Sequence, residues 1–199
     1  MPIPRRSLLV LVAAASIPNL ARGQEASRTS ERSLGKHDSK VTVEEYFSLT
    51  CTHCAHFSKE TMPDVRAKLI DTGKIRYVFR DFPLDQVALV AAQIARALPP
   101  ERYEPFVSAL FASQDRWAFA RGMNPVDELW KMAALAGMSR ETFDSAVSDQ
   151  ELRTFILQQQ QEGEKKWHVD STPSFIINGK KEAGAMDFAA FEKLVSAAA

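Results

Sequence analysis

Two cysteines separated by two residues, Cys51 and Cys54, are the strongest chemical feature of this sequence. The 199-residue chain contains no other cysteine. An apolar, β-branched run ends at Phe47 just before them, and the pattern that follows is helical. This order predicts a strand, then Cys51 at the N-terminus of a helix, with Cys54 one turn inside. Unpaired backbone N–H groups and the positive end of the helix dipole would favour a Cys51 thiolate, so we expect thiol–disulfide chemistry.

Three residues near the cysteines could tune this chemistry. His53 lies between the two cysteines, where a cationic imidazole would add to the stabilisation of a thiolate. Thr52 supplies a hydroxyl there but lacks the rigidity of a proline. Glu45 could form a buried carboxyl beneath the site that relays protons to and from Cys54. The alternation of a strand leaves open whether Glu44 or Glu45 faces inward, and the other would be solvated.

The elements that would position the cysteines begin with a strand from Lys40 to Phe47. The helix from about residue 51 to 71 contains Pro63, which predicts a kink, and it would end at Gly73 as a C-cap. A second buried strand runs over residues 75–82. Strand, helix and strand in this order predict a parallel pair with a right-handed crossover.

Apolar residues recur with the helical period from residue 85 to about residue 167. Asn124 and Ser139 are candidate N-caps, and Ser148 with Glu151 forms a candidate capping box for a long polar helix. The histidine at position 56 is expected on an exposed helical turn. We interpret one aromatic stripe in this region as core: Tyr103, Phe106, Phe111, Trp117 and Phe119.

The last part of the chain returns to β-structure. Asn178-Gly179 lies between two short strand patterns and is a strong signal for a two-residue hairpin turn. Asp187 then begins a terminal amphipathic helix. The predicted order is therefore βαβ, a helical insertion, and ββα. The corresponding segments are 41–84, 85–167 and 168–199.

The first residues carry the features of a signal peptide. Two arginines precede a ten-residue apolar run from Leu8 to Ile17, and small residues suit cleavage near Gly23/Gln24. The run is too short to span a bilayer, although a membrane anchor or a buried helix is the alternative. The arginine pair leaves open whether export follows the general secretory or the twin-arginine route.

Composition and charge limit the kinds of partner that the protein could bind. The formal net charge is 0, which indicates neither a nucleic-acid partner nor a polybasic membrane patch. Removing residues 1–23 would remove three arginines and no acidic residue, which leaves a net charge of −3. Residues 24–40 form a polar leader that could pair at a sheet edge near Leu34.

Because residues 1–23 predict export, we expect a periplasmic protein. The periplasm is an oxidising compartment, where two cysteines usually form a disulfide.

Thr172-Pro173 lies in a loop that leads into the strand pattern at Phe175. X–Pro bonds are the usual place for cis peptides, yet the trans form is the default interpretation from these residues alone. A cis bond would turn the Thr172 backbone outward, where it could pair with an extended peptide next to Cys51.

Three motifs together resemble the DsbA family of thioredoxin-fold disulfide oxidoreductases. They are Glu-x-Phe-x-x-x-Cys-x-His-Cys at residues 45–54, Asp-Phe-Pro-Leu at residues 81–84, and Thr-Pro-Ser-Phe at residues 172–175. The resemblance runs from Leu34 to the C-terminus. It implies an α/β thioredoxin fold with an inserted helical subdomain. Many family members have proline where this chain has Thr52, and often valine where it has Thr172, which bears on redox strength.

The resemblance also implies residue roles. Cys51 would be the nucleophilic, solvent-facing cysteine and Cys54 the resolving one. Glu45, His53 and a cis-Pro173 match family positions. The implied function is donation of the Cys51–Cys54 disulfide to exported proteins with free thiols, without a bound cofactor. A DsbB-like membrane protein would reoxidise the pair.

Two alternatives remain open at this point. One is a disulfide isomerase or reductase that uses the same cysteines. The other belongs to a different class, a copper metallochaperone that holds the metal through the cysteines and His53. A structural zinc site is not expected, because zinc needs four ligands, commonly from a second Cys or His pair elsewhere in the chain, and outside residues 51–56 the sequence has only the single histidines His37 and His168.

Overall fold

The computed structural model of the protein describes residues 28–199, so the predicted signal peptide lies outside the described residues. Five strands of this part of the chain form one mixed sheet. They are β1 (Arg32–Leu34), β2 (Val41–Phe47), β3 (Ile75–Asp81), β4 (Ser174–Ile177) and β5 (Lys180–Ala183). The strand order across the sheet is β1-β3-β2-β4-β5, which places β2 at the centre.

Helices cover the sheet and fill the long segment between β3 and β4. They are α1 (Thr52–Glu60), α2 (Met62–Val65) with a π-helical segment (Arg66–Ile70), α3 (Gln86–Ala97), α4 (Pro100–Ala112), α5 (Gln114–Trp117), α6 (Pro125–Leu135), α7 (Arg140–Ser148), α8 (Gln150–Trp167) and α9 (Phe188–Ala198). Over residues 28–199, no helix combines the length and the apolar character that crossing a membrane requires.

The pairing of the strands gives the predicted thioredoxin fold with a helical insertion. β2 and β3 are parallel, and Phe47 of β2 pairs with Asp81 of β3 at the end of the register. β4 joins the other side of β2 in the antiparallel sense, with Phe175 opposite Glu45. β1 pairs antiparallel with β3 at the sheet edge, as expected from the polar segment near Leu34. The strand that leads to the cysteines is therefore held on both sides.

The predicted kinked helix is interrupted at one residue, Thr61, whose φ and ψ of −108° and −42° stay in the right-handed helical region. α1 ends at Glu60, and α2 begins at Met62 with Pro63 in its first turn. A proline is tolerated there because the first turn of a helix needs no backbone donor. The chain then passes through the π-helical segment and turns at Gly73, where φ is +76°. The interruption leaves a short α1 that contains Cys54 and has Cys51 as its N-cap.

Two helices of the insertion begin at the side-chain caps that the sequence predicts. Asn124 accepts a hydrogen bond from a backbone N–H of α6, and Ser139 does the same for α7. The predicted capping box at Ser148 is wrong, because Asp149 caps α8 by accepting from the Leu152 N–H at 2.9 Å. Ser148 is instead the last residue of α7. A carboxylate at this position also interacts favourably with the helix dipole.

Aromatic side chains join the layers of the fold. Phe57 of α1 contacts Phe175 of β4 and Phe191 of α9, with ring centroids 4.8 and 5.8 Å apart. Of the predicted aromatic stripe, four residues are buried: Tyr103, Phe106, Phe111 and Trp117. Phe119 is 52% exposed, which corrects its placement in the core. It follows α5 in an irregular stretch, so the helical period that grouped it with the others does not apply.

The hairpin between β4 and β5 confirms its sequence signal. Asn178 and Gly179 both adopt positive φ, 44° and 86°, as a two-residue turn of this type requires. Asp187 begins α9 by accepting from the Ala190 N–H at 2.8 Å. These elements close the second half of the fold against the first.

Candidate active site

Cys51 occupies the N-cap position of α1. Its φ and ψ are −79° and 120°, so the residue itself is extended while the next residue is helical. Its carbonyl accepts the first hydrogen bond of the helix from the Ala55 N–H at 3.1 Å. Its own N–H donates to the Ser48 carbonyl at 3.0 Å, which closes the turn after β2. The sulfur therefore lies where the unpaired N–H groups of α1 converge, as the sequence predicts.

Several hydrogen bonds favour the thiolate form of Cys51. The pKa of Cys51 is lowered from 9.0 to about 5, and the largest cause is a hydrogen bond from the Cys54 side chain. Burial acts in the opposite direction. The Thr172 side chain and the backbone N–H groups of Cys54 and His53 lower the pKa further. The low pKa thus comes from local donors rather than from a nearby cation.

Cys54 has the opposite character. Its side chain is fully buried, and this burial raises the pKa of Cys54 well above 9.0. The hydrogen bond to Cys51 and the charge of Glu45 raise it further. Both cysteines are free thiols in this structure. The pair therefore consists of an acidic sulfur and a proton-retaining sulfur in direct contact.

Cys51 is less accessible than the solvent-facing cysteine that the resemblance implies. Its exposed fraction is 8%, against 0% for Cys54, so the predicted order of burial holds but the degree of exposure is smaller. The backbone of Thr172 contacts this sulfur, because its carbonyl accepts a hydrogen bond from the Cys51 thiol at 3.2 Å.

The Thr172–Pro173 peptide bond is cis, whereas the trans form is the default from the residues alone. The Pro173 carbonyl accepts from the Gly184 N–H at 2.8 Å, which ties this segment to the end of β5. The hydroxyl Oγ1 of Thr172 is buried and has no hydrogen-bond partner among the described residues. With Cys51 protonated, its thiol donates to the Thr172 carbonyl. With Cys51 ionised, the neighbouring hydroxyl can donate to the sulfur, which explains why this side chain lowers the Cys51 pKa.

Glu45 is the strand acid that faces inward. It is 5% exposed, whereas Glu44 forms a partly exposed ion pair with Arg80 at 2.6 Å. Burial raises the pKa of Glu45 from 4.5 to about 7, and the charge of Cys51 raises it as well. The Tyr77 hydroxyl donates to Glu45 Oε2 at 2.8 Å and acts in the other direction. A buried carboxyl that titrates near neutral pH therefore lies beside the cysteines.

The side chains of Thr52 and His53 lie on the exposed surface of the first turn of α1. The contribution of His53 that lowers the Cys51 pKa in this structure comes from its backbone N–H. His56 is exposed, as expected. Both residues between the cysteines are therefore placed to meet a molecule that approaches from solvent.

Gln114 is a site residue that sequence reasoning missed. It lies in α5 of the helical insertion and is 4% exposed. Its Nε2 donates to the Leu49 carbonyl at 2.8 Å and to the Cys51 carbonyl at 3.0 Å. A single glutamine in a helical stretch gives no sequence signal for such a contact. The insertion thus holds the backbone of the cysteine turn directly.

Asp85 fastens the same turn from another side. Its Oδ2 accepts from the Thr50 hydroxyl at 2.7 Å, and its Oδ1 caps α3 by accepting from the Ala88 N–H at 2.8 Å. Ser48 adds a contact, because its Oγ accepts from the Leu84 N–H at 3.2 Å. The loop before Cys51 is therefore tied to the loop after β3 through side chains.

Over residues 28–199, no group of three or more histidine, cysteine, aspartate or glutamate side chains has a geometry that could hold a metal ion. The arrangement that the described residues do offer is a reactive thiol, a buried thiol and a buried carboxyl. Such an arrangement can support thiol–disulfide exchange, with a buried carboxyl available for proton transfer at the buried sulfur.

The fold and the site together define a thioredoxin-fold protein with a Cys-x-x-Cys motif at the start of a helix. The sequence profile of the thioredoxin family matches residues 27–197, and the chain belongs to this family. Among solved structures, alpha-DsbA1 of Wolbachia pipientis is similar, with 28% identity and a TM-score of 0.77 over 93% of this chain and 95% of that chain. This match confirms the resemblance to DsbA proteins.

Two further relatives carry names of related activities. One is a protein of Novosphingobium aromaticivorans that is named as a protein-disulfide isomerase. Its sequence is 26% identical, and its crystal structure matches with a TM-score of 0.71 over 84% of this chain and 96% of that chain. A Rickettsia bellii protein named as a protein-disulfide oxidoreductase is 32% identical over 147 residues, which are 73% of this chain and 56% of that protein. The chain thus spans about half the length of the curated relatives it matches.

Proposed function

We propose that the protein is an exported thiol:disulfide oxidoreductase that donates a Cys51–Cys54 disulfide to the thiols of substrate proteins. The observation that carries the proposal is the opposite shift of two adjacent thiols. The pKa of Cys51 is lowered to about 5, whereas that of Cys54 is raised well above 9.0. Stabilising the Cys51 thiolate stabilises the reduced form, which makes the disulfide a stronger oxidant.

The exchange proceeds through a mixed disulfide. A substrate thiolate attacks Cys51 Sγ, a new S–S bond forms, and the Cys51–Cys54 bond breaks. Cys54 takes the electron pair and a proton. A second substrate thiolate then attacks the substrate sulfur of the mixed disulfide, and Cys51 leaves as a thiolate. Its low pKa makes Cys51 a good leaving group, so this second step favours the oxidised substrate and the reduced enzyme.

The backbone at Thr172 and Pro173 is the proposed substrate-binding segment. The Thr172 carbonyl lies 3.2 Å from the Cys51 sulfur, so a peptide that presents its cysteine to Cys51 passes next to this backbone. When Cys51 ionises, its thiol no longer donates to the carbonyl. The carbonyl is then available to accept from a backbone N–H of an extended substrate.

Thr52 and His53 are the proposed tuning residues between the cysteines. A cationic imidazole at position 53 would add to the backbone donors that favour the Cys51 thiolate. His53→Ala would then raise the Cys51 pKa by about one unit or less, as for a charge pair near a surface. A thiolate titration of that variant that coincides with the wild-type curve would remove His53 from the mechanism.

We place the function in the periplasm on the sequence features of residues 1–23 and the resemblance to DsbA proteins. By the same resemblance, a DsbB-like membrane protein would return the cysteines to the disulfide. Fractionation of cells that express the full chain tests this placement. Recovery of the processed chain in the periplasmic fraction is expected, and recovery of the full-length chain in the cytoplasm contradicts it.

The direct test follows oxidation of a reduced two-cysteine peptide by the oxidised protein. We expect one peptide disulfide per Cys51–Cys54 disulfide consumed, and no oxidation by Cys51→Ser. Cys54→Ala, incubated with oxidised glutathione, should accumulate a Cys51–glutathione mixed disulfide with release of one reduced glutathione, because the resolving sulfur is absent. Peptide oxidation that survives Cys51→Ser would overturn the proposal.

Disulfide isomerisation is the second candidate, since the Novosphingobium aromaticivorans relative carries that name at 26% identity. The equilibrium with reduced and oxidised glutathione separates an oxidase from a reductase. An oxidase has a potential well above that of the glutathione pool, whereas a reductase lies below it. Faster reactivation of a protein with scrambled disulfides than of a fully reduced one would favour the isomerase. Tight copper binding without disulfide exchange would favour the metallochaperone.

A further inference from the structure

The side chains of Tyr77 and Glu45 form a buried hydrogen bond that has no part in the steps of the proposed disulfide exchange. Tyr77 lies on β3 opposite Val43, and Glu45 lies two residues further along β2, opposite Phe79. Residues two apart on a strand share a face, so both side chains point to the same side of the sheet. The Tyr77 hydroxyl donates to Glu45 Oε2 at 2.8 Å. Tyr77 is fully buried and Glu45 nearly so.

The surroundings leave few other groups that could stabilise a Glu45 carboxylate. Cys51 at the N-cap of α1, Cys54 within α1 and Tyr103 of α4 interact with it electrostatically. The residue opposite on β4 is the apolar Phe175. None of these groups is a cation. The Tyr77 hydrogen bond is therefore the main interaction that favours the ionised form.

Tyr77 is suited to act as a permanent donor. Burial raises the pKa of Tyr77 well above 10, and the charge of Glu45 adds to this effect. The phenol therefore keeps its proton throughout the range in which Glu45 titrates. Its ring is fixed against Phe79, with centroids 5.3 Å apart in an edge-to-face contact. The hydroxyl is thereby held in place when the carboxyl changes its protonation.

We propose that Tyr77 is a positioning residue that sets the proton affinity of Glu45, the acid that exchanges a proton with Cys54 during disulfide transfer. The part that concerns Cys54 rests on the proposed function. When a substrate thiolate attacks Cys51, the Cys51–Cys54 bond breaks and Cys54 receives the electron pair. Glu45 gives its proton to this buried sulfur and becomes a carboxylate, which Tyr77 stabilises. In the reverse step, Glu45 takes the proton back as Cys54 attacks Cys51 Sγ and the substrate thiolate leaves.

The experiment measures the titration of the Glu45 carboxyl by carbon NMR in the reduced protein. In Tyr77→Phe the midpoint should rise by about one to two pH units, the value of a hydrogen bond to a charged group. Tyr103→Phe is the matched control, because it removes another buried tyrosine hydroxyl, one that donates to Asp81 at 3.4 Å. Its Glu45 midpoint should stay at the wild-type value. A fluorinated tyrosine at position 77 is a stronger donor and should lower the midpoint.

A second measurement links the titration to the chemistry. The protein is prepared as a mixed disulfide of Cys51 with glutathione, and release of glutathione by Cys54 is followed against pH. The midpoint of this profile should rise in Tyr77→Phe by the same one to two units. In a Glu45→Gln background, Tyr77→Phe should produce no further shift. A residue with a purely structural role would not give this dependence on Glu45.

The results separate this inference from the proposed function. An unchanged Glu45 midpoint in both the phenylalanine and the fluorotyrosine proteins would overturn the role of Tyr77, even in an active enzyme. A kinetic shift that persists in the Glu45→Gln background would also overturn it. If the wild-type protein exchanges no disulfides while the NMR midpoints move as expected, the proposed function fails and the coupling of Tyr77 to Glu45 stands.

Discussion

The side chain of Cys54 lowers the pKa of Cys51 through one hydrogen bond. This bond is the largest cause of the low Cys51 pKa, ahead of the backbone N–H groups at the start of α1. Cys54 can remain the donor because burial keeps its own proton bound. The acidity of the first sulfur is therefore coupled to the burial of the second.

Replacing Cys54 tests this coupling. Cys54→Ala removes the donor and should raise the Cys51 pKa by about one unit or more, whereas Cys54→Ser keeps a hydroxyl donor and should raise it less. The rate of alkylation of Cys51 against pH gives the midpoint in each variant. Equal midpoints in the wild type and Cys54→Ala would show that the helix N-terminus alone accounts for the low pKa.

The residues of the site differ in how far the sequence could identify them. The two cysteines and the turn between them depend on neighbours within ten positions, so strand, turn and helix patterns sufficed. The strand pattern did not distinguish Glu45 from Glu44, and only the resemblance to DsbA proteins favoured Glu45. Tyr77 bonds to a residue 32 positions away and Gln114 to one 63 positions away. These contacts depend on how the sheet and the insertion pack, and no local pattern of the sequence records them.

At the scale of elements, α5 connects the helical insertion to the cysteine turn. Gln114 holds the carbonyls of Leu49 and Cys51, both of which lie in the loop between β2 and α1. The Cys51 carbonyl also accepts from α1 itself, but the side chain of Gln114 is a buried donor for the Leu49 carbonyl. Removing the donor leaves this acceptor unsatisfied away from water.

Gln114→Ala should lower the free energy of unfolding by about 1–3 kcal/mol, the cost of leaving a buried polar group without its partner. Gln158→Ala is the matched control, since Gln158 is an exposed glutamine of α8. It should change the free energy of unfolding by less than about 0.5 kcal/mol. Urea denaturation of the reduced proteins measures both values. A loss at Gln114 no larger than at Gln158 would refute the role of this contact.

Sequence patterns predicted the kinds of elements better than their ends. The helical period and the Asn178-Gly179 turn identified the insertion and the hairpin, because both signals are local. The helix is interrupted at Thr61 rather than at Pro63, and the cap at Asp149 was missed. A proline indicates that a helix is interrupted nearby but does not fix the residue at which this happens. Ser148 and Asp149 are adjacent candidate caps, and tertiary packing decided between them.

At the scale of the whole molecule, a buried ion pair joins the sheet to the insertion. Arg96 of α3 and Asp81 at the end of β3 form this pair, and both are almost completely buried. Arg96 also donates to the Ser30 carbonyl at 3.1 Å and to Gln159 of α8 at 3.3 Å. The sheet, two helices of the insertion and the segment before β1 therefore meet at one side chain.

Arg96→Leu should lower the free energy of unfolding by about 3–5 kcal/mol, because Asp81 would remain as an uncompensated buried charge. The control is Arg140→Leu, since Arg140 forms an exposed pair with Asp144 and such pairs contribute about 0–1 kcal/mol. Thermal and urea unfolding of both variants measure the difference. Similar losses in the two variants would show that the buried pair contributes no more than a surface pair.

Stability of the reduced protein should depend on pH through Cys51. The folded-state pKa is about 5 against 9.0 for an ordinary thiol, so between these values the folded state binds fewer protons than the unfolded state. Stability then rises with pH over this window and is lost as pH falls towards 5, with a slope of at most about 1.4 kcal/mol per unit.

The comparison that isolates this effect is the difference in unfolding free energy between the reduced wild type and Cys51→Ser. This difference should grow in favour of the wild type from pH 5 to pH 9. Urea unfolding in the presence of a reductant at several pH values measures it. Parallel curves for the two proteins across this window would contradict the predicted linkage.

The charged state of Cys51 is the central claim, and its thiolate absorbance in the ultraviolet tests it most directly. We expect the reduced wild-type protein to show a transition with a midpoint near pH 5, and Cys51→Ser to lack it. A midpoint near the ordinary value of 9.0 would contradict the account, because Cys51 would then be neither a favoured nucleophile nor a good leaving group.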